Sequence, residues 1–339
     1  MSNGSNDKPV IISGSTNIKV AEQISKILEC DLFPIKIEKF ANGEIGVLLE
    51  KTVRGSRAFV VQTSVTGNVN DNLIETGLIA DALKRAACKS WYLIQLIYPY
   101  ERQDRRENDK EKNRPKRRPV SARFVADFYE KLCGFSGVVT IHLHSEQIEG
   151  FFDKAYIENI SAIPLLTGHL QEIGVLNNGK KVSFAGPDIG AVKMIADISE
   201  FLDYDYVIID KRRTGPGKSK VMKVIGDVAG RIVVIGDDQI DGGGTIISAA
   251  DKLFEMGALE VYVICTQFVG SGNAVKNLLN SKITKIITTD TIPNDLILKH
   301  PEKFTVLPIA PLMTDVITRI FNNRSLQEAV AHKINSTAN

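Results

Sequence analysis

Apolar residues in this chain fall in short unbroken runs separated by amphipathic stretches. Nine runs have strand character: Pro9–Ser13, Ala58–Gln62, Tyr92–Ile97, Val138–Leu143, Lys181–Ala185, Tyr206–Ile209, Ile232–Ile235, Val261–Thr266 and Thr284–Thr288. Most are continuous rather than alternating, as expected of strands covered on both faces. Between them Asn17–Leu28, Asn70–Ala87, Val120–Leu132, Ile163–Ile173, Ala191–Leu202, Thr245–Met256 and Ala274–Leu279 carry an apolar stripe at helical period. Strands alternating with helices predict an α/β protein with mainly parallel sheets flanked by helices. The alternation comes in two blocks of similar size with a seam near Asp153–Ser161, and domains of 8–155 and 156–309 are expected. Asn177-Asn178-Gly179 reads as a turn inside the second block.

Composition narrows the function. A chain of 339 residues, 43% hydrophobic, suggests about two domains with sizeable cores. The net charge of +2 gives no global attraction to nucleic acid or membrane, so any electrostatic function is local. Four widely spaced cysteines, Cys30, Cys88, Cys133 and Cys265, show no paired-ligand pattern and read as reduced thiols. The polar first nine residues argue against a secretory signal, and no apolar run approaches a membrane span. The expectation is a cytoplasmic protein.

The most informative stretch is "RIVVIGDDQIDGGGTIISAA", Arg231–Ala250. A buried strand leads into acids, three glycines, a threonine and a helix. Backbone N–H groups at Asp241–Thr245 and the positive end of the following helix suit a phosphate, and small residues let it approach. A Walker A loop is excluded because no lysine follows the glycines; a dinucleotide fingerprint is excluded because Ile247 occupies the third glycine position. Asp237 and Asp238 need another partner, either sugar hydroxyls or a divalent cation. A ligand with a phosphate at one end and a polyol at the other satisfies both halves, which describes a ribose phosphate. The plainer alternative is an acidic turn capping a helix.

Two other features stand out. Glu101–Arg118 holds nine basic and five acidic residues directly after a predicted strand. It reads as a solvated loop or as a loop meeting a polyanionic small ligand at the carboxyl end of the sheet; without interleaved aromatics it does not read as a nucleic-acid tail. His142 and His144 lie two apart at a strand end and project to one face. Such a pair can mark a zinc hydrolase, but the other histidines, His169, His300 and His332, are not suitably clustered.

"VVIGDDQIDGGGTI" resembles the phosphoribosyl diphosphate loop of type I phosphoribosyltransferases and of ribose-phosphate diphosphokinases. Other segments resemble the diphosphokinase family in the same order: "FANGE" (Phe40–Glu44), "DNLIE" (Asp71–Glu75), "YPYERQDRR" (Tyr98–Arg106), "HLHSEQIEGFFD" (His142–Asp153), "GPDIG" (Gly186–Gly190) and "DKRR" (Asp210–Arg213). The resemblance covers roughly residues 9–325. It implies two phosphoribosyltransferase-like domains related by a pseudo-twofold, with the helix near 310–325 folding back onto the first. It implies transfer of the diphosphoryl group of ATP to the anomeric hydroxyl of ribose 5-phosphate, with 5-phosphoribosyl 1-diphosphate and AMP as products. The expected cofactor is Mg²⁺, with Mn²⁺ as an alternative. The expected assembly is a homo-oligomer, a hexamer or dimers thereof, with the ATP site shared between subunits.

By the same resemblance Phe40, Asn42, Glu44, Arg102 and Gln103 bind ATP. Asp237, Asp238, Asp241, Gly242, Gly243, Gly244 and Thr245 hold ribose 5-phosphate. Lys211, Arg213 and His144 are catalytic, the two cations standing on a loop that runs to Lys220 and closes over the transferring phosphates. His144, Asp188 and His142 are the expected metal residues. The chain departs from the family pattern at His142, usually aspartate, at Gly242 and Gly243, usually threonine and a small residue, at Ala155, usually proline, and in a longer Glu107–Arg117 stretch. Two alternatives follow: a non-catalytic associated subunit of the same family, or a transferase consuming the diphosphate.

Overall fold

The computed structural model describes residues 8–65, 67–106, 108–109, 114–177, 179–213 and 220–326, without the side chains of 108–109, 115, 189, 211–213 and 220–222. The chain forms two compact units. The first takes in the residues up to Ser161, Thr291–Pro293 and the chain from Pro308; the second is Ala162–Asp290 with Asn294–Leu307.

The first unit contains, in chain order, β1 (Val10–Ser13), α1 (Ile18–Ile27), β2 (Ile35–Lys39), β3 (Ile45–Leu49), β4 (Arg57–Gln62), α2 (Val69–Arg85), β5 (Ser90–Gln95), β6 (Asn108–Asp109), β7 (Arg114–Pro115), α3 (Ser121–Asp127), β8 (Gly137–Ile141) and β9 (Tyr156–Ile160). Its sheet is parallel with order β1-β4-β5-β8-β9. The central strands are buried on both faces, so Val60, Leu93 and Val138 form a core with Ile79 and Leu83 of α2. β2 and β3 form an antiparallel hairpin beside the sheet, and β6 and β7 pair over two residues. Helix α3 widens into a π-helical turn, Phe128–Leu132.

The second unit contains α4 (Ile163–Glu172), β10 (Val182–Gly186), α5 (Val192–Leu202), β11 (Asp205–Arg213), β12 (Lys220–Ile225), β13 (Ile232–Ile240), α6 (Gly244–Glu255), β14 (Glu260–Phe268), α7 (Ala274–Leu279), β15 (Lys285–Thr289), α8 (Asp295–Leu298) and β16 (Phe304–Leu307). Its sheet order is β12-β11-β10-β13-β14-β15-β16, parallel except for β12. The last helix, α9 (Ala310–Phe321), belongs to the first unit, where it packs against α1. Arg57 holds its end: Nη1 donates to the Phe321 carbonyl at 2.7 Å, and the guanidinium lies 5.8 Å from the Phe321 ring centre.

Three sequence expectations are corrected. β9 pairs with β8, so the first unit runs to Ser161 and not to residue 155; its Tyr-Ile-Glu-Asn-Ile pattern hid an edge strand. β13 does not end at Ile235 but continues through both aspartates to Ile240, carried by pairing with β14. Asp210–Arg213 is not loop: it extends β11 and pairs with β12, Lys211 opposite Met222 and Arg213 opposite Lys220.

Candidate active site

In the first unit two loops leave the carboxyl ends of the neighbouring strands β5 and β8. Each bends at a left-handed non-glycine residue, Tyr100 at φ 61° and His142 at φ 54°. Such a conformation costs on the order of 1–3 kcal/mol and clusters at functional sites. The loops are bonded to each other. The buried Glu101 carboxylate accepts the His144 backbone N–H at 3.2 Å. The Gln147 side-chain amide donates to the Asp104 carbonyl at 3.4 Å and to its carboxylate. Asn159 of β9 accepts the Leu143 N–H at 2.9 Å. Gln103 connects this loop pair to α3: its side-chain oxygen accepts from the Ser121 hydroxyl at 2.8 Å, and its carbonyl from the Ala122 N–H at 3.2 Å. Arg102 and Gln103 are exposed at the loop surface.

The β2–β3 hairpin presents Phe40, Asn42 and Glu44, all exposed. Its turn is closed by the Phe40 N–H to the Glu44 carbonyl at 2.8 Å and by the Glu44 N–H to the Asn42 side-chain oxygen at 3.1 Å. Phe40 is 50% exposed, and its ring lies over Gly46, where a Cβ would stand 2.9 Å from ring carbons. The first turn of α2 ties hairpin and loop to one support. Asp71 pairs with Lys39 of the hairpin at 2.6 Å, and Asn70 accepts from the Tyr100 hydroxyl.

In the second unit Asp188 follows the end of β10, and Asp237 and Asp238 lie in the carboxyl half of its neighbour β13. Asp188 accepts the Gly190 N–H at 2.8 Å, and Asp237 accepts the Asp238 N–H at 3.0 Å. Burial, the adjacent Asp238 and then Asp188 push the Asp237 carboxyl well above the usual carboxylate range. Helix α6 begins immediately beyond. Its cap residue Gly243 is left-handed, φ 74°, and no side chain caps the helix. Cβ atoms placed on Gly242 and Gly244 would meet nothing within 4 Å, so the loop leaves room against its backbone and helix dipole for an anion. Asp241 and Thr245 flank that space, with the Asp241 carbonyl accepting the Ser271 N–H at 3.1 Å.

The sequence-predicted residues therefore sort by unit. The first carries Phe40, Asn42, Glu44, Arg102, Gln103, His142 and His144; the second carries Asp188, Asp237, Asp238, Asp241, Gly242, Gly243, Gly244 and Thr245. The side chains of Lys211 and Arg213, the glycine-rich residues 214–219, and residues 107 and 110–113 of the Glu107–Arg117 stretch lie outside the described residues. Sequence reasoning missed Glu101, Asp104 and Gln147 as joints between loops, and Gly46 as the seat of Phe40. Only the crowding of charge around residue 101 hinted at the first.

Among the described residues no three His, Cys, Asp or Glu side chains close on one point as a ready metal cage. The carboxylates of Asp188, Asp237 and Asp238 are oxygen donors of the type that hard cations take alongside water and phosphate.

Residues 9–133 match the family described as the N-terminal domain of ribose phosphate pyrophosphokinase, and residues 209–330 match the phosphoribosyl synthetase-associated domain. A ribose-phosphate pyrophosphokinase of Fusobacterium nucleatum is 38% identical over 320 residues, 94% of this chain and 96% of that protein. The chain belongs to the ribose-phosphate pyrophosphokinase family. Another pyrophosphokinase of that name, from Aquifex aeolicus, is 38% identical over 93% of this chain and 97% of its own. The crystal structure of the phosphoribosylpyrophosphate synthetase from Mycobacterium smegmatis superposes with a TM-score of 0.84 at 34% identity, covering 94% of this chain and all of that one. Pyrophosphokinase membership thus embraces both units, including the hairpin, the paired loops and the acid-glycine loop. Among the described residues no helix is long and apolar enough to cross a membrane.

Proposed function

We propose that this chain transfers the diphosphoryl group of ATP to the anomeric hydroxyl of ribose 5-phosphate, giving 5-phosphoribosyl 1-diphosphate and AMP. The observation that carries the reading is the end-to-end match to pyrophosphokinases across both units. In this reading the Gly242–Thr245 loop and the start of α6 bind the 5-phosphate through backbone N–H groups. Asp237 and Asp238 accept hydrogen bonds from ribose hydroxyls and orient the anomeric carbon. Phe40 stacks on adenine, Asn42 and Glu44 read its edge, and Arg102 and Gln103 hold phosphate and base. Lys211 and Arg213 neutralise charge developing on the transferring phosphates, and His144 is the third catalytic residue. Asp188 in the one unit and His144 and His142 in the other are the residues that would contact Mg²⁺, which would supply electrostatic stabilisation of phosphate oxygens.

The working form in this reading is a homo-oligomer in which a neighbouring subunit's hairpin completes the ATP site. The four free cysteines fit a cytoplasmic location. His142 favours one second reading, a non-catalytic associated subunit, because imidazole replaces a hard oxygen ligand. Incubating the purified chain alone with Mg²⁺, ATP and ribose 5-phosphate separates the two. AMP and phosphoribosyl diphosphate formed in equal amounts are expected; a folded, assembled chain that forms neither is the associated subunit.

A further inference from the structure

The segment His142–Ala155 is fastened at both ends, and the far fastening is a carboxylate inside a helix. Glu130 stands in the π-helical turn Phe128–Leu132 and is buried. Its Oε2 accepts three consecutive backbone N–H groups: Asp153 at 2.7 Å, Lys154 at 2.5 Å and Ala155 at 3.0 Å. The same corner is gripped from outside. The Asp153 carboxylate receives Arg123 at 2.9 Å and Lys131 at 3.4 Å, and both cations also reach Asp127, at 3.3 and 2.8 Å. Burial pushes the Glu130 carboxyl up, but the three N–H donors outweigh it and hold the group below its ordinary value. The fastening is thus a charge-assisted one in a water-poor setting, where such bonds are strongest.

The π turn explains how the carboxylate arrives there. Its wider winding closes with the Cys133 N–H on the Phe128 carbonyl, at 2.9 Å, and such turns re-aim side chains at functional sites. Tyr129 and Glu130 are both buried as a result. From this corner the chain runs back through the 3₁₀ segment Glu146–Phe151 to Gln147 and His144. These reach the nucleotide loop through Asp104 and Glu101. The segment is therefore held by Asn159 at Leu143, by Glu101 at His144, by Asp104 at Gln147 and by Glu130 at its far end.

We propose that Glu130 is a positioning residue for nucleotide: its grip on residues 153–155 sets the placement of the His144–Gln147 stretch and, through Asp104, of the Tyr98–Arg106 loop. The inference rests on the proposed role of those loops in binding ATP. Loss of the grip weakens ATP binding and leaves ribose 5-phosphate binding intact, because the phosphate loop lies in the other unit.

The test compares Glu130→Gln, Glu130→Ala, Asp153→Asn and His144→Ala with the parent enzyme in full-chain form. Residues that orient metal ligands from outside cost about 10–100-fold when removed, and the lower end of that range serves as the scale for Glu130. For Glu130→Gln the KM for ATP is expected to rise about tenfold with the KM for ribose 5-phosphate unchanged and kcat within a few-fold. Amide hydrogen exchange at Asp153, Lys154 and Ala155 is expected to quicken without quickening in β5 or β8. If Glu130→Ala does not fold, Asp153→Asn loosens the same corner and should move the ATP constant in the same direction. An unchanged ATP constant alongside faster exchange makes the grip purely structural and overturns the proposal, as does an equal loss for both substrates. His144→Ala separates the failures: if it changes neither kcat nor the ATP constant, the nucleotide reading of the segment is wrong rather than the role of Glu130.

Discussion

At the scale of single residues, the sharpest lever is Gly46, which matters because of what lies above it. A methyl group there would stand 2.9 Å from the Phe40 ring, so the ring must move. Gly46→Ala is therefore expected to copy Phe40→Ala: the KM for ATP rises by an amount equivalent to roughly 1–3 kcal/mol of lost base stacking, with ribose 5-phosphate binding retained. Steady-state kinetics on both variants check this, and an unaffected ATP constant in both would remove the hairpin from the nucleotide site. Asp237 gives a second prediction. A carboxyl with a raised folded-state pKa binds its proton more tightly folded than unfolded. Its contribution to stability is fully present below the unfolded pKa of about 3.9 and is lost as pH rises toward the folded value. Asp237→Asn removes that loss. It is expected to melt at the same temperature as the parent near pH 4 and above it at pH 8, by roughly 2–4 °C for each kcal/mol relieved, while activity collapses. Thermal melts at the two pH values decide; a variant less stable at pH 8 would mean that the acids already have a compensating partner.

At the scale of elements, the strand–helix alternation was legible because fully buried parallel strands are continuous apolar runs. The strands β1, β4, β5, β8, β10, β11, β13, β14 and β15 all declare themselves so. Of the strands that did not, β9, β12 and β16 are edge strands, where half-exposed residues such as Tyr156 and Ile225 blur the pattern, and β2, β3, β6 and β7 form separate two-stranded pairs. The acid-glycine loop was readable from spacing alone, since an exposed backbone and a helix start are written in the glycines. The cross-loop bonds of Glu101, Asp104 and Gln147 were not, because pairing between residues about 43 apart leaves no local period. The β11–β12 hairpin changes how Lys211 and Arg213 are to be understood: they stand on paired backbone at the sheet edge. Lys211→Ala and Arg213→Ala are each expected to lower kcat by on the order of 10²–10³ with much smaller changes in either KM. Turnover near that of the parent in both would take the hairpin out of the mechanism.

At the scale of the whole molecule, neither unit is a continuous piece of chain. The first needs Thr291–Pro293 and α9, and the Thr291 carbonyl accepts from Asn17 at 3.2 Å and from the Thr63 hydroxyl at 2.9 Å. A fragment ending at Ser161 is therefore expected to lack cooperative unfolding and to bind an apolar dye, whereas the full chain does neither; a sharp melt from the fragment would contradict the assignment of α9. The arrangement also sets an order of events during synthesis. Helix α1 is complete at Ile27, but the helix that covers it starts at Ala310. At roughly 5–20 residues per second the ribosome needs on the order of tens of seconds to deliver it. Throughout that interval the part of α1 that α9 covers stands uncovered on a nascent chain. The first half of this protein is thus a natural client for ribosome-associated chaperones, and its yield should depend on how fast the second half is translated.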